Sequence, residues 1–119
     1  MTIQECYENL NSNYNDVANR FAGSKALVLK FAKKFCDDPG YQLLADSMAE
    51  KDYKEAFRAA HTIKGVCANL GFDVLFRVSG ELTELLRNGV SDEAAVEEKF
   101  NQVTEEYHKT IDMIGQVTE

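Results

Sequence analysis

The 119-residue sequence contains no tryptophan, one proline and only two histidines. Its three cysteines, at positions 6, 36 and 67, form no Cys-x-x-Cys pattern, so a disulfide scaffold is excluded and free thiols in a reducing compartment are favoured. The longest aliphatic run is Ala26-Leu27-Val28-Leu29, far short of the ~20 residues that span a bilayer. The first residues also lack the basic and apolar segments of a signal peptide. These absences predict a cytoplasmic protein that does not enter a membrane.

Acidic residues outnumber basic ones by 20 to 13, which gives a formal net charge of −7. Non-specific nucleic-acid binding depends on neutralising phosphates, so nucleic acid is an unfavourable partner for this chain. Hydrophobic residues make up 45% and charged residues 28%, values that are ordinary for a globular domain and exclude a disordered tail. A chain of this length is expected to bury one core without a metal ion or a disulfide.

The apolar residues recur with the 3.6-residue period of helices, and no strand-like alternation is present. Capping residues mark the predicted helix starts, and glycines mark several of the ends. The predicted N-caps are Thr2, Ser24, Asp52, Asp73 and Ser91, and the predicted stops are Gly23, Gly71 and Gly89. Short loops favour antiparallel neighbours. The sequence therefore predicts an all-α single domain over residues 1–119. Residues 24–117 are expected to form an antiparallel up-and-down four-helix bundle, and residues 1–23 a short N-terminal helical extension.

The segment Asp37-Asp38-Pro39-Gly40 interrupts the helical pattern. Proline fits the first turn of a helix, but in a helix interior it removes a hydrogen bond. Residues 37–40 therefore mark either a break between two helices or a kink within one.

Four helices carry apolar stripes that are expected to face the core. The stripes comprise Leu27, Val28, Phe31 and Phe35 in the Ser24 helix; Ala56, Ala59, Ala60, Ile63, Val66, Cys67 and Leu70 in the Asp52 helix; Leu75, Val78, Leu82 and Leu85 in the Asp73 helix; and Val96, Phe100, Val103, Tyr107, Ile111 and Ile114 in the last helix. Because the bundle accounts for these stripes, a monomer is expected. Cys67 is expected to be an inert buried thiol.

His61 lies near the middle of the Asp52 helix, opposite its apolar stripe, and is therefore expected to point to solvent. An exposed histidine on a helix most often has no role. Gly65 alters this expectation, because an interior glycine costs ~1 kcal/mol relative to alanine. Close approach of a partner beside His61 would explain that glycine, and tight helix packing is the alternative. Lys64 lies within reach of a group attached to the His61 ring, although an ordinary solvated lysine is the commonest interpretation of any single lysine.

The surface around His61 combines small and apolar residues with a rim of cations. Phe57, Gly65 and Ala68 share its exposed side, and Lys54, Arg58 and Lys64 surround it. A surface of this kind predicts docking of an anionic protein, with Lys54, Phe57, Arg58 and Ala68 as the docking residues.

Residues 60–71 read AHTIKGVCANLG and resemble the A-H-x-hydrophobic-K-G-x-x-x-x-L-G signature of histidine-containing phosphotransfer (HPt) domains. The resemblance extends over about residues 14–89, through Arg20-Phe21-x-Gly23, Leu43-Leu44, Met48 and Asp52. Leu82-Thr83 departs from the Leu-Glu pair that is frequent in the family, which bears on the subfamily rather than on the phosphorylation site. Family members often have one continuous helix across residues 37–40, which favours the kink there.

The resemblance implies that His61 is the phosphorylated residue, that Lys64 offsets charge on the phosphoryl oxygens and that Gly65 leaves room for the partner. It implies a phosphorelay protein that accepts a phosphoryl group from a receiver-domain aspartate and passes it to another receiver domain. The partners would be receiver domains of response regulators or hybrid histidine kinases, which would bring Mg²⁺. The chain itself would bind no cofactor or metal. It contains no glycine-rich nucleotide loop, so no ATP-dependent kinase activity is expected.

Several alternatives stay open at this point. His108 lies between Tyr107 and Lys109 without a comparable signature and is expected to be a surface histidine. The lysines at 25, 30, 33 and 34 form a basic face that either solubilises the protein or widens the cationic rim for a receiver. A helical-bundle adaptor that binds a signalling partner without being phosphorylated is the structural alternative. The initiating Met and the complete bundle favour a free-standing protein.

Overall fold

The computed structural model describes all 119 residues and contains seven helices and no strand. The helices are α1 (Ile3–Asn9), α2 (Tyr14–Arg20), α3 (Lys25–Phe35), α4 (Gly40–Ala49), α5 (Tyr53–Leu70), α6 (Asp73–Leu86) and α7 (Glu93–Gly115). The prediction of an all-helical chain is confirmed. The number of helices exceeds the prediction because the region before α5 is divided into more segments.

Three of the predicted N-caps are confirmed by their hydrogen bonds. Thr2 and Glu5 form both bonds of a capping box at the start of α1. The Ser24 hydroxyl accepts a bond from the Leu27 N–H, and the Asp52 carboxylate accepts one from the Glu55 N–H. These caps fix where α1, α3 and α5 begin.

The predicted caps of α6 and α7 are wrong by one residue each. The N-cap of α6 is Phe72, whose ring is buried, so Asp73 becomes the first helical residue. Its N–H donates to the Ser12 hydroxyl at 3.1 Å, which means that a residue distant in sequence supplies the missing cap. The N-cap of α7 is Asp92 rather than Ser91, because its carboxylate accepts from the Ala95 N–H at 3.1 Å.

The segment between α3 and α4 is a full break, so the expectation of a kink is wrong. Helix α3 closes with bonds from the N–H groups of residues 36, 37 and 38 to carbonyls three residues earlier. The Gly40 N–H then donates to the Asp38 carboxylate at 2.8 Å. Pro39 has no N–H to continue the helical ladder. A Cβ on Gly40 would lie 3.3 Å from Ile63 Cγ1, so the start of α4 lies close against α5.

Helices α5 and α6 form the most extensive helix pair, with α4 packed on α5 and α7 packed on α6. The short N-terminal helices belong to the same core, since Ile3, Cys6, Tyr7 and Leu10 are all buried within it. The buried Tyr7 hydroxyl donates to the Leu70 carbonyl at 2.6 Å. This bond ties α1 to the C-terminal end of α5.

Two residues assigned to the apolar stripes are more exposed than predicted. Leu27 is 39% exposed and Leu85 is 38% exposed. In α3 the core positions are instead Val28, Ala32 and Phe35, whose spacing keeps them on one side of the helix. In α6, Leu86 takes the buried position next to Leu85. None of the seven helices combines the length and apolarity needed to cross a membrane.

Candidate functional site

Helix α5 is a rigid 18-residue support because both of its ends are fixed. Asp52 caps its first turn, and Gly71 ends it in the left-handed conformation with φ of 71°. The predicted core face is confirmed, except that Val66 is only half-buried. Small residues on this face, including Ala56 and Ala60, let the neighbouring helices approach closely.

His61 lies opposite that core face and is exposed, as predicted. Its imidazole forms no hydrogen bond or ion pair with another protein group. The half-buried ring of Phe57, one turn earlier, lies nearly parallel to it, with ring centroids 6.1 Å apart and an interplanar angle of 17°. Phe57 therefore limits the positions of the imidazole on one side while both ring nitrogens stay free of protein partners.

Helix α6 and its C-cap residue supply charged groups beside this pair of rings. The Arg87 guanidinium carbon lies 5.1 Å from the centroid of the Phe57 ring. Arg87 also makes a bidentate bond to the Glu84 carboxylate, with Nε at 3.0 Å and Nη2 at 2.9 Å. The hydrogen bond from Arg87 holds the pKa of Glu84 below its ordinary value, and the charges of Arg87 and Lys64 lower it further.

Lys64 lies across α6 rather than freely in solvent. Its Nζ is 5.8 Å from the centroid of the Phe76 ring. Its aliphatic stem lies over Gly80, where an added Cβ would be 3.5 Å from Lys64 Cδ and Cε. Lys64 and Glu84 line the same shallow groove. The lysine is thus half-buried and unpaired with any carboxylate, and it lies three residues after His61 on the same helix.

Gly65 leaves open space one turn after His61. A Cβ built there would have no atom within 4 Å outside its own helix, so neighbouring-helix packing does not explain this glycine. Ala68 is half-buried on the same side, and its carbonyl accepts a bond from the Arg20 guanidinium. No large side chain therefore protrudes at Gly65 and Ala68, and the surface beside His61 is open to a partner.

The two predicted cations before His61 differ in their surroundings. Lys54 is exposed and forms no ion pair, whereas Arg58 is exposed and paired with Glu55 in its own helix. Phe57, Lys54 and Arg58 line one groove with the end of α6. The structure thus brings all seven predicted site residues to one side of α5.

Sequence reasoning missed the contribution of α6 to this site. Phe76, Gly80, Glu84 and Arg87 all contact or adjoin residues of α5 there. Gly80 could have been singled out from the sequence, because a glycine inside a helix is costly and needs a reason, as was argued for Gly65. No sequence feature marked Glu84 and Arg87 as site residues, since charged residues on an amphipathic helix ordinarily face solvent.

A second groove, of about 590 Å³, lies on another side of α5. The rings of Phe21 and Phe31 stack in it with centroids 5.3 Å apart. Arg20 and Lys34 add positive charge, and Lys34 Nζ lies 5.9 Å from the Phe31 centroid. One lysine of the basic α3 face therefore adjoins an apolar surface next to the His61 helix.

The remaining reactive side chains offer no second centre. Burial raises the pKa of the Cys67 thiol to about 12 and that of the Cys6 thiol to about 11, so both are poor nucleophiles at neutral pH. His108 is exposed and lies against the rings of Tyr41 and Tyr107. No three His, Cys, Asp or Glu side chains are placed to hold a metal ion.

Comparison with known proteins places this site in a family. Residues 31–114 match the sequence model of the Hpt domain, a range that includes His61 and all of α4, α5 and α6. No curated protein and no solved structure matches the chain significantly. Because the match covers more than half of the sequence, the chain belongs to the Hpt domain family, whose members act generally in histidine phosphotransfer and interact with receiver domains in phosphorelays.

Proposed function

We propose that His61 accepts a phosphoryl group from a receiver-domain aspartate and passes it to the aspartate of another receiver. The lone pair of the unprotonated imidazole nitrogen forms the N–P bond while the acyl P–O bond breaks, and the electron pair of that bond leaves with the aspartate carboxylate. The proton on the other ring nitrogen stays in place during the attack. Onward transfer reverses these events at the second receiver.

One observation carries this proposal: an exposed imidazole without hydrogen bonds, at the middle of a fixed helix and inside the region that matches the Hpt domain. Phosphoryl transfer depends mainly on positioning and charge stabilisation, so the chain needs a held nucleophile more than a set of catalytic groups. Phe57 supports the ring from one side, and α5 supplies the rigid base.

Lys64 is the cation we assign to the transferring phosphoryl oxygens. It has no carboxylate partner to compete with the phosphoryl group. Its stem rests on Gly80, which restricts the side chain, and its ammonium group would leave the Phe76 ring to reach a phosphoryl group on His61. A lysine held in this way suits charge stabilisation in the transition state.

The partner we propose is a receiver domain of a response regulator or hybrid histidine kinase, which would bring both the aspartyl phosphate and Mg²⁺. We assign docking to Lys54, Phe57, Arg58 and Ala68, with Gly65 as the point of closest approach. The cationic rim suits an acidic pocket on the partner. This chain is assigned no bound cofactor and no kinase activity toward ATP.

The proposal extends to the organisation of the chain. We assign residues 24–117 to a four-helix bundle in which α3 and α4, both in contact with α5, together replace one long helix. Residues 1–23 are assigned as its N-terminal extension. A monomer in the cytoplasm is proposed, which suits three unpaired cysteines.

Phosphoryl transfer from a phosphorylated receiver tests the proposal. The purified protein is incubated with a receiver labelled on its aspartate, and then with a second receiver. We expect the label to appear on this chain as acid-labile, base-stable phosphate and to leave it when the second receiver is added. If no receiver from the same cell labels the protein, the non-phosphorylated adaptor becomes the better account.

A bulky residue at Gly65 is expected to slow transfer without harming the fold. Gly65→Leu should reduce the rate by about tenfold or more, because the side chain stands where the receiver must approach. The melting temperature should be unchanged or higher, since the site is open and leucine favours helix over glycine. Transfer reactions quenched at timed intervals measure the rate, and thermal unfolding measures the melting temperature.

Gly115→Leu is the matched control, because this helical glycine is also open but lies at the end of α7. It should leave the transfer rate unchanged. A collapsed fold in Gly65→Leu would show that this glycine is structural, contrary to the proposal.

A further inference from the structure

Glu84 is a carboxylate placed among the cations of the proposed phosphorylation site. Its two oxygens bind Arg87, which lies on the ring of Phe57, which in turn lies beside His61. On its other side it shares a groove with Lys64. It therefore adjoins two positive charges, Arg87 and Lys64, on the α6 side of the proposed phosphohistidine.

This placement matters once a phosphoryl group is present. A phosphoryl group carries a charge of about −2 near neutral pH. Arg87 would be available to such a group, but its Nε and Nη2 donors are occupied by Glu84 in the unphosphorylated protein. The Glu84 carboxylate would also repel the phosphoryl oxygens directly. Both effects raise the free energy of the phosphorylated form.

We propose that Glu84 acts as a negative regulator of phosphohistidine stability, which keeps His61 a good phosphoryl donor. This inference rests on the proposed function. A relay intermediate must release its phosphoryl group as readily as it gains it, and a nearby carboxylate limits how strongly the surrounding cations hold the group. Glu84 does this by repulsion and by competing for Arg87, so it is a positioning residue rather than a catalytic one.

Removing this charge tests the inference through an equilibrium. Glu84→Gln keeps the size of the side chain but removes its charge. The equilibrium constant for transfer from a phosphorylated receiver to this protein should rise by about fivefold, the size expected for loss of one partly screened charge near a phosphoryl group. High salt should reduce the difference between variant and wild type. A merely structural change would not show this salt dependence.

Two further variants serve as controls. Glu81→Gln removes the same charge one turn away. Glu81 lines the same groove but pairs with Arg77 and Lys99 and does not bind Arg87, so its loss should shift the equilibrium by less than about twofold. Glu84→Asp keeps the charge and should stay close to wild type. Circular dichroism and thermal unfolding check that each variant is folded.

The outcomes separate this inference from the function on which it rests. A wild-type protein that gains no phosphate overturns the proposed function, and the role of Glu84 with it. A phosphorylated wild type with no shift in Glu84→Gln, or with an equal shift in Glu81→Gln, overturns the role of Glu84 alone. A shift toward the receiver also contradicts it.

Discussion

Replacing His61 by glutamine is expected to abolish phosphorylation of this protein completely. Glutamine retains a polar side chain of similar reach, but its amide nitrogen is not a nucleophile toward phosphorus. The fold should survive, because His61 is exposed and forms no hydrogen bond with the rest of the protein. The free energy of unfolding should change by less than about 0.5 kcal/mol, as at other surface sites.

His108→Gln is the matched control, since His108 is the only other histidine and is also exposed. It should accept label from a phosphorylated receiver at the wild-type rate. Label that persists in folded His61→Gln would place the acceptor elsewhere in the chain. Label lost equally in both variants would mean that the histidines matter indirectly.

The largest effect on stability is expected for Gly71→Ala. Gly71 is buried with φ of 71°, a conformation that costs a residue with a Cβ about 1–2 kcal/mol. Its Cβ would also overlap Val17 Cγ2, so the Val17 side chain or α2 itself would have to shift away from the end of α5. We expect a total loss of about 3–5 kcal/mol in the free energy of unfolding, measured by urea denaturation.

Gly23→Ala separates the two causes of this loss. Gly23 has a similar φ of 76°, but a Cβ there would have no atom within 4 Å. Its loss should therefore be only about 1–2 kcal/mol, the cost of the backbone conformation alone. Equal losses at the two glycines would show that the contact with Val17 relaxes freely and that the α2–α5 junction is loosely packed.

The helix that carries His61 could be predicted from the sequence because its signals are local. The apolar spacing of α5, the cap at Asp52 and the glycine at position 71 all lie within the helix or at its ends, and each was confirmed. The exposure of His61 followed from the same periodicity.

Features that depend on distant residues could not be predicted in this way. The cap of α6 comes from Ser12, 61 residues away in sequence, so the local pattern pointed to Asp73 instead. Pro39 indicated an interruption, but whether the chain kinks or breaks there depends on packing such as the close approach of Gly40 to Ile63 of α5.

The α6 residues of the site could not be predicted either, because their position depends on how two helices pack. Glu84 lies in the next helix after His61 and Arg87 lies at the end of that helix, and their charges are ordinary for an exposed helix face. Only the packing of α5 against α6 places Arg87 over Phe57. Leu85 was assigned to the core because it continues the three- and four-residue spacing of the α6 stripe. The structure buries its neighbour Leu86 instead.

Locating the phosphate in the wild-type protein tests the central claim most directly. Trypsin cleavage after Arg58 and Lys64 releases residues 59–64, which contain His61 and Thr62 as the only plausible acceptors. After transfer from a labelled receiver, mass spectrometry at neutral or alkaline pH should find one phosphoryl group on this peptide, with fragment ions that assign it to His61. Phosphate on Thr62, on another peptide or on no peptide of a folded protein would contradict the account.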